Sequence, residues 1–318
     1  MELFATENNP IPRGAIAGTI KASDGVQLRY ARWRPTGKNA QGTVCLFQGR
    51  TESIEKYFET IGDLRRRGFA VATLDWRGQG GSERLLRNPR KGHIDSFAAY
   101  DRDLESFMQQ VALPDCPPPH YALAHSTGGL ICLRGVHSGR VRFTRLVLSA
   151  PLLGLPPGRL SQNNAYRLTA LMTAFGFGEL QVNEKYAMPI EKMPFETNDI
   201  TGDPVRYARN AEIVRSVPQL ALGPPTYAWL YAACRAMAEA ADPDFGPSIK
   251  VPILIVAAAL DRIVSVKAIE QLAGELRAGG HLVISGAQHE LLQERDAIRE
   301  QFWAAFDAFI PGSTISLD

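Results

Sequence analysis

A serine between small residues is the first group in this sequence equipped for covalent chemistry. In Tyr121-Ala122-Leu123-Ala124-His125-Ser126-Thr127-Gly128-Gly129 a short apolar run climbs into Ser126, and a second apolar segment, Leu130-Ile131-Cys132-Leu133, follows the glycines. A serine on a very tight strand-to-helix turn needs small neighbours, because side chains two residues before and after it would collide. Ala124 and Gly128 hold those two positions. Such an elbow lifts the hydroxyl out of the sheet and leaves the next backbone N–H facing the same space at a helix N-terminus. A serine hydroxyl is too weak an acid to attack an ester unaided, so a base must take its proton.

Two later residues supply that relay. Asp261 follows the apolar run 253–260, and His289 follows Val283-Ile284-Ser285-Gly286-Ala287-Gln288, the loop beyond the last strand. A neutral histidine can accept the serine proton and later donate it to a leaving group. An aspartate behind it would fix the imidazole tautomer and stabilise the imidazolium. The order Ser–Asp–His differs from the orders of the two best-known serine protease folds. Asp242 and Asp244 sit in a Pro-rich loop before their strand, and Asp75 ends a strand ahead of the elbow. Of the six histidines, only His289 comes after the final strand. An oxyanion needs two backbone donors: Thr127 N–H, and Arg50 N–H from the turn after the strand ending at Phe47. Loss of one such donor typically costs ~3 kcal/mol of transition-state stabilisation.

The elements that must position these groups alternate along the chain. Gly18–Ala22 and Val26–Trp33 alternate apolar and polar residues around Ser23-Asp24-Gly25, a hairpin pattern. Thr43–Phe47, Ala70–Leu74, Tyr121–Ala124, Leu146–Ser149 and Ile253–Ala257 are short continuous apolar runs, as in strands buried on both faces. His281–Ile284 follows as a last strand, and helical patterns lie between the strands: Glu52–Gly68, Ser96–Val111, Tyr227–Ala241, Val266–Arg277 and Glu290–Phe309. Alternation with short links predicts an α/β fold with a mostly parallel, doubly wound sheet. Functional groups then gather at the carboxyl edge of the strands. Between residues 152 and 225 the alternation stops, and short helical stretches broken by Pro and Gly replace it. Leu168, Leu171, Met172 and Phe175 recur there at helical spacing. That stripe either packs the insertion onto the main domain or lines an acyl-chain pocket.

Composition excludes several classes. The 318 residues are 45% hydrophobic and 21% charged, with a net charge of +2, so there is no nucleic-acid footprint. Cys45, Cys116, Cys132 and Cys234 are scattered, which predicts free thiols in a reducing, cytoplasmic setting and neither a disulfide frame nor a metal site. No basic segment followed by an apolar core opens the chain, and no run approaches ~18 apolar residues, so neither signal peptide nor membrane span is expected. Peripheral contact with the inner face of a membrane stays open.

Together these residues carry a resemblance. The chain resembles the α/β-hydrolases of the serine aminopeptidase/monoacylglycerol lipase group, and most closely the bacterial PldB-type lysophospholipases. The likeness lies in Gly49-Arg50-Thr51-Glu52-Ser53, Asp75-Trp76-Arg77-Gly78-Gln79-Gly80-Gly81-Ser82, Gly92-His93-Ile94, residues 122–129, Ser149-Ala150-Pro151 and the surroundings of Asp261 and His289. Gln48 stands where many relatives have His, Ala124 where Gly is common, and Thr127 where Met is usual. None of these changes removes a catalytic group. The resemblance implies an α/β-hydrolase core of residues 1–151 and 226–318, a helical cap of residues 152–225, and no metal or organic cofactor. It implies a serine hydrolase that releases a fatty acid from a small lipid ester, a lysophospholipid first and a monoacylglycerol next, through an acyl-enzyme on Ser126. Arg50, Glu52, Leu171 and Phe175 are the candidate substrate contacts; Arg50 would hold a phosphate headgroup, unless it pairs with Glu52. Asp75 and Arg77 are read as braces of neighbouring turns rather than a phosphate site. Aminopeptidase, thioesterase and broad carboxylesterase activities share the triad and stay open, as does acyl transfer to an alcohol. A ligand receptor on a hydrolase scaffold is the rival of another class.

Overall fold

The computed structural model describes residues 2–37, 40–158, 161–182 and 188–313. The chain opens with a hairpin, β1 (Ile16–Lys21) and β2 (Gln27–Trp33), and continues through β3 (Thr43–Phe47), α1 (Phe58–Arg66) and β4 (Ala70–Leu74). Then come α2 (Phe97–Phe107), the short α3 (Leu113–Asp115), β5 (His120–His125), α4 (Thr127–His137) and β6 (Leu146–Ser149). The long excursion holds α5 (Gln162–Ala174) and α6 (Pro204–Ser216) among single 3-10 turns. The chain returns through α7 (Tyr227–Ala240), α8 (Phe245–Ser248), β7 (Ile253–Ala258), α9 (Val266–Glu275), β8 (Gly279–Ile284) and α10 (Asp296–Phe309).

The eight strands form one sheet in the order β1-β2-β4-β3-β5-β6-β7-β8. Only the β1/β2 and β2/β4 pairs are antiparallel; every other neighbour is parallel. β3, β4, β6 and β7 are buried along their whole length, which is why they read as unbroken apolar runs. The hairpin at one edge alternates because one face is covered and the other is not. The four cysteines are free and buried. Among the described residues no helix is long and apolar enough to cross a membrane.

Register places the chemistry. Phe47 is paired with Ala124, so the turn leaving β3 lies against the elbow leaving β5. Ala258 is paired with Ile284, so the loops leaving β7 and β8 run side by side. The last helix starts later than its sequence pattern: Leu291–Gln293 forms a 3-10 turn and the α-helix begins at Asp296. The stripe on α5 fits neither sequence expectation. Leu168, Leu171 and Phe175 are exposed by 44%, 55% and 71%, and the residues that α5 buries are Ala165 and Thr169.

Candidate active site

Ser126 sits at φ +50° and ψ −115°, a strained backbone for a non-glycine residue, between the last residue of β5 and the first of α4. Its own N–H donates to Ser149 O at 3.0 Å, and its carbonyl accepts from Gly129 and Leu152 N–H. The geometry explains the small neighbours. A Cβ on Gly128 would lie 2.7 Å from Gln48 O and 2.8 Å from Phe47 O, backbone atoms that cannot swing aside. On Gly49 it would meet Ser126 Cβ and His125 at 3.1 Å.

His289 Nε2 lies 3.1 Å from Ser126 Oγ, and its Nδ1 lies 2.7 Å from Asp261 Oδ2. A carboxylate can only accept, so Nδ1 carries the proton and Nε2 of the neutral ring is free to accept from the serine. Asp261 Oδ1 in turn accepts from Ile263 N (2.8 Å) and Val264 N (2.9 Å), and the side chain is fully buried. Burial works to raise its pKa, but the His289 interaction and the two backbone amides outweigh it and hold the carboxyl below its ordinary value. The His289 loop is fixed by Glu294, whose Oε1 accepts from Gln288 N and from Gly202 N.

Among the described residues the backbone N–H groups of Arg50 and Thr127 have no acceptor, and both residues line the cavity at Ser126. That cavity holds ≈ 540 Å³. Leu152, Trp229, Leu230, Ala233 and Met237 make an apolar wall, four of them from one face of α7. Arg50, Glu52, Lys56, Asn210 and Glu290 make a polar one. Leu171 and Phe175 are not among its lining residues, so the structure does not bring those two to the site. The α7 wall was missed in the sequence because its apolar face looks like any helix packed on a sheet.

Arg50 and Glu52 do not pair. Arg50 Nη1 and Nη2 donate to Gly223 O at 3.0 and 3.2 Å, and the guanidinium lies over Trp229 at 5.4 Å. Burial pulls its pKa down to about 10, and among the described residues no carboxylate pairs with it. Glu52 bonds instead to Lys56, Tyr57 and Gly49 N–H. The other polar candidates are braces. Asp75 accepts from Arg29, Gln48, Ile54 N and Gly81 N, and Arg77 is held between Asp24 and Asp103. Asp242 and Asp244 are exposed near α8. His125 Nδ1 donates to Ser149 O, and burial drives its pKa down to about 4 against the pull of Glu52. Among the described residues no group of three His, Cys, Asp or Glu is placed to hold a metal ion.

The chain is similar to known proteins over most of its length. The family model described as "Serine aminopeptidase, S33" matches residues 38–296. Lysophospholipase L2 of Escherichia coli (strain K12) is 31% identical over 294 residues, covering 87% of this chain and 82% of that protein. The probable lysophospholipase L2 of Haemophilus influenzae is 31% identical over 285 residues, covering 90% and 88%. Among solved structures, a soluble variant of monoglyceride lipase from Saccharomyces cerevisiae in complex with a substrate analog aligns with a TM-score of 0.74 at 18% identity, over 98% of this chain and 100% of that one.

Proposed function

The chain belongs to the serine aminopeptidase S33 family, ester-hydrolysing enzymes of the α/β-hydrolase fold, and we propose that it cleaves the acyl ester of a lysophospholipid through an acyl-enzyme on Ser126. The observation that carries this reading is the hydrogen-bonded line Ser126–His289–Asp261, which opens onto a cavity with one apolar and one polar wall. Ser126 Oγ attacks the acyl carbonyl as His289 Nε2 takes its proton, and Asp261 holds the ring and stabilises its charge. The free N–H groups of Arg50 and Thr127 receive the oxyanion. His289 then returns the proton to the departing glyceryl oxygen, activates water and releases the fatty acid.

The acyl chain runs along Trp229, Leu230, Ala233 and Met237 beneath a cap formed by residues 152–225. The guanidinium of Arg50, which has no carboxylate partner among the described residues, faces the headgroup and receives its phosphate. The 31% identity to lysophospholipase L2 supports that substrate class. A second reading, hydrolysis of a neutral monoacylglycerol, is favoured by the two bonds that already tie Arg50 to Gly223 O.

Ser126→Ala should abolish hydrolysis of a short p-nitrophenyl ester and labelling by a fluorophosphonate. Retained activity in that variant would remove the acyl-enzyme from consideration. The two substrates are separated by measuring kcat/KM for lysophosphatidylethanolamine and for monoacylglycerol of equal chain length in the wild type and in Arg50→Gln. Preferential loss on the phospholipid supports phosphate recognition; equal loss on both favours the neutral substrate.

A further inference from the structure

The turn that carries one oxyanion donor has no helix or strand to aim it. Residues 48–53 are irregular, and Thr51, a β-branched residue, is held at φ +67°. Such a conformation is unfavourable and persists only where its surroundings over-determine it. Those surroundings are visible. Gly49 O accepts from Gln79 Nε2 at 2.8 Å, and Gly49 N–H donates to Glu52 Oε2. The same carboxylate takes the Tyr57 hydroxyl at 2.7 Å on Oε2 and Lys56 Nζ at 2.7 Å on Oε1. Lys56 Nζ also donates to Glu290 Oε1 at 2.6 Å, and Glu290 is the neighbour of His289 in the chain. Glu52, Lys56, Tyr57 and Glu290 are all buried.

We propose that Glu52 is a positioning residue for the oxyanion turn and that Lys56 and Glu290 tie this turn to the loop carrying His289. The inference rests on the reaction proposed above. With Gly49 N–H taken by Glu52, the turn is left presenting the Arg50 N–H to the cavity. Both oxygens of Glu52 are thereby occupied inside the protein, so this residue is wall rather than substrate contact. A carboxylate beside a developing oxyanion would oppose it; Lys56 offsets the Glu52 charge, while burial, with Glu52 nearby, holds the second carboxyl on Lys56, that of Glu290, above its ordinary pKa. Burial works to raise the Glu52 pKa, but Lys56, His125 and Tyr57 hold it down to about 2, so the carboxylate that grips Gly49 is ionised at neutral pH. The link through Lys56 spans 234 residues of sequence, from the first loop of the site to the last.

The test is Glu52→Gln, with Lys56→Met as the second variant should the first fail to fold. A neutral amide of the same shape keeps the packing but places an NH2 group toward Lys56 or toward Gly49. Steady-state hydrolysis of p-nitrophenyl butyrate should show kcat reduced about ten- to hundredfold with KM within threefold, since a misaimed donor weakens the transition state and not substrate binding. The Ki of a trifluoromethyl ketone, which forms a tetrahedral adduct, should rise by the same factor. Either a kcat within threefold of wild type, or a reduced kcat with the Ki unchanged, overturns the proposal. Those outcomes differ from failure of the underlying reaction, which would show as wild-type protein that neither turns over the ester nor labels with fluorophosphonate.

Discussion

Replacing Asp261 by asparagine tests the relay at its most constrained point. In the wild type Oδ1 accepts from two backbone amides, Ile263 N at 2.8 Å and Val264 N at 2.9 Å, while Oδ2 faces His289 Nδ1 at 2.7 Å. An asparagine amide has one oxygen, and these two N–H donors compete for it. Turning the NH2 toward them would set it against both N–H groups and leave the donor of buried Val264 unsatisfied, at about 1–3 kcal/mol for that group alone. The oxygen therefore takes the Oδ1 place and the NH2 points at His289. Nδ1 must then accept, the ring proton moves to Nε2, and Nε2 faces Ser126 Oγ as a donor. A donor cannot take the serine proton. The same exchange in the serine protease relay lowers kcat by about 10⁴, which corresponds to about 5.5 kcal/mol of barrier.

The expected outcome for Asp261→Asn is a kcat on p-nitrophenyl butyrate lowered about ten-thousandfold, a parallel fall in the rate of fluorophosphonate labelling, and little change in melting temperature, because the isosteric side chain still caps Ile263 and Val264. Asp75→Asn provides the contrast. Asp75 is fully buried among Arg29, Gln48 and two backbone amides and reaches neither His289 nor Ser126. Its loss should lower the melting temperature first. Asp261→Asn retaining more than about a tenth of wild-type kcat would refute the tautomer argument.

Two further outcomes follow from the cavity and from the charges around it. Ala233→Phe places a ring in the apolar wall; excluding about four methylenes at ~0.8 kcal/mol each should cut the preference for a dodecanoyl over a butyryl ester by about two hundredfold, whereas Phe175→Ser, at a side chain 71% exposed, should leave that ratio unchanged. A matched loss in both variants would return the acyl pocket to α5. Glu59 joins α6 to the core through Arg206, Arg209 and Arg299; burial works to raise its pKa, but these guanidinium groups hold it down to about 2. A depressed carboxylate contributes stability that is fully present above its unfolded value near 4.5 and is lost as pH falls through about 2. Thermal melts across that window should therefore fall steeply for the wild type and more gently for Glu59→Gln; parallel curves would show that Glu59 is not the titrating group.

How much of this was legible in the sequence depends on what carried each signal. Ser126, Asp261 and His289 each follow a strand of the parallel part of the sheet, β5, β7 and β8, and a parallel sheet gathers the residues after its strands along one edge, so order along the chain was enough to bring them together. The small residues of the elbow were legible because backbone closeness forbids anything larger. The stripe on α5 was misread for the opposite reason. Periodicity shows that a helix has an apolar face, but not whether another element covers it, and Ala165 and Thr169 turned out to be the covered residues. The α7 wall was hidden in plain helical pattern, since a face that lines a cavity and a face that packs a core have the same residues. The pairing of Lys56 with Glu290 has no spacing signature at all.

That last pairing also argues about why such residues stand there. Buried ion pairs are poor sources of stability, because desolvating the charges costs about as much as their attraction returns, and well-packed apolar residues of similar volume often do as well or better. Two carboxyl groups and one ammonium buried beside the catalytic base are thus a poor means of holding a fold together. An apolar cluster, however, could not accept the Gly49 N–H, cancel a negative charge near the oxyanion and reach the loop of His289 at once. Lys56 does the second and third, and Glu52 the first. If stability alone had set these positions, replacing Glu52, Lys56 and Glu290 together by Gln, Met and Gln would leave kcat intact while changing the melting temperature. A fall in kcat at unchanged or raised melting temperature is the expected result.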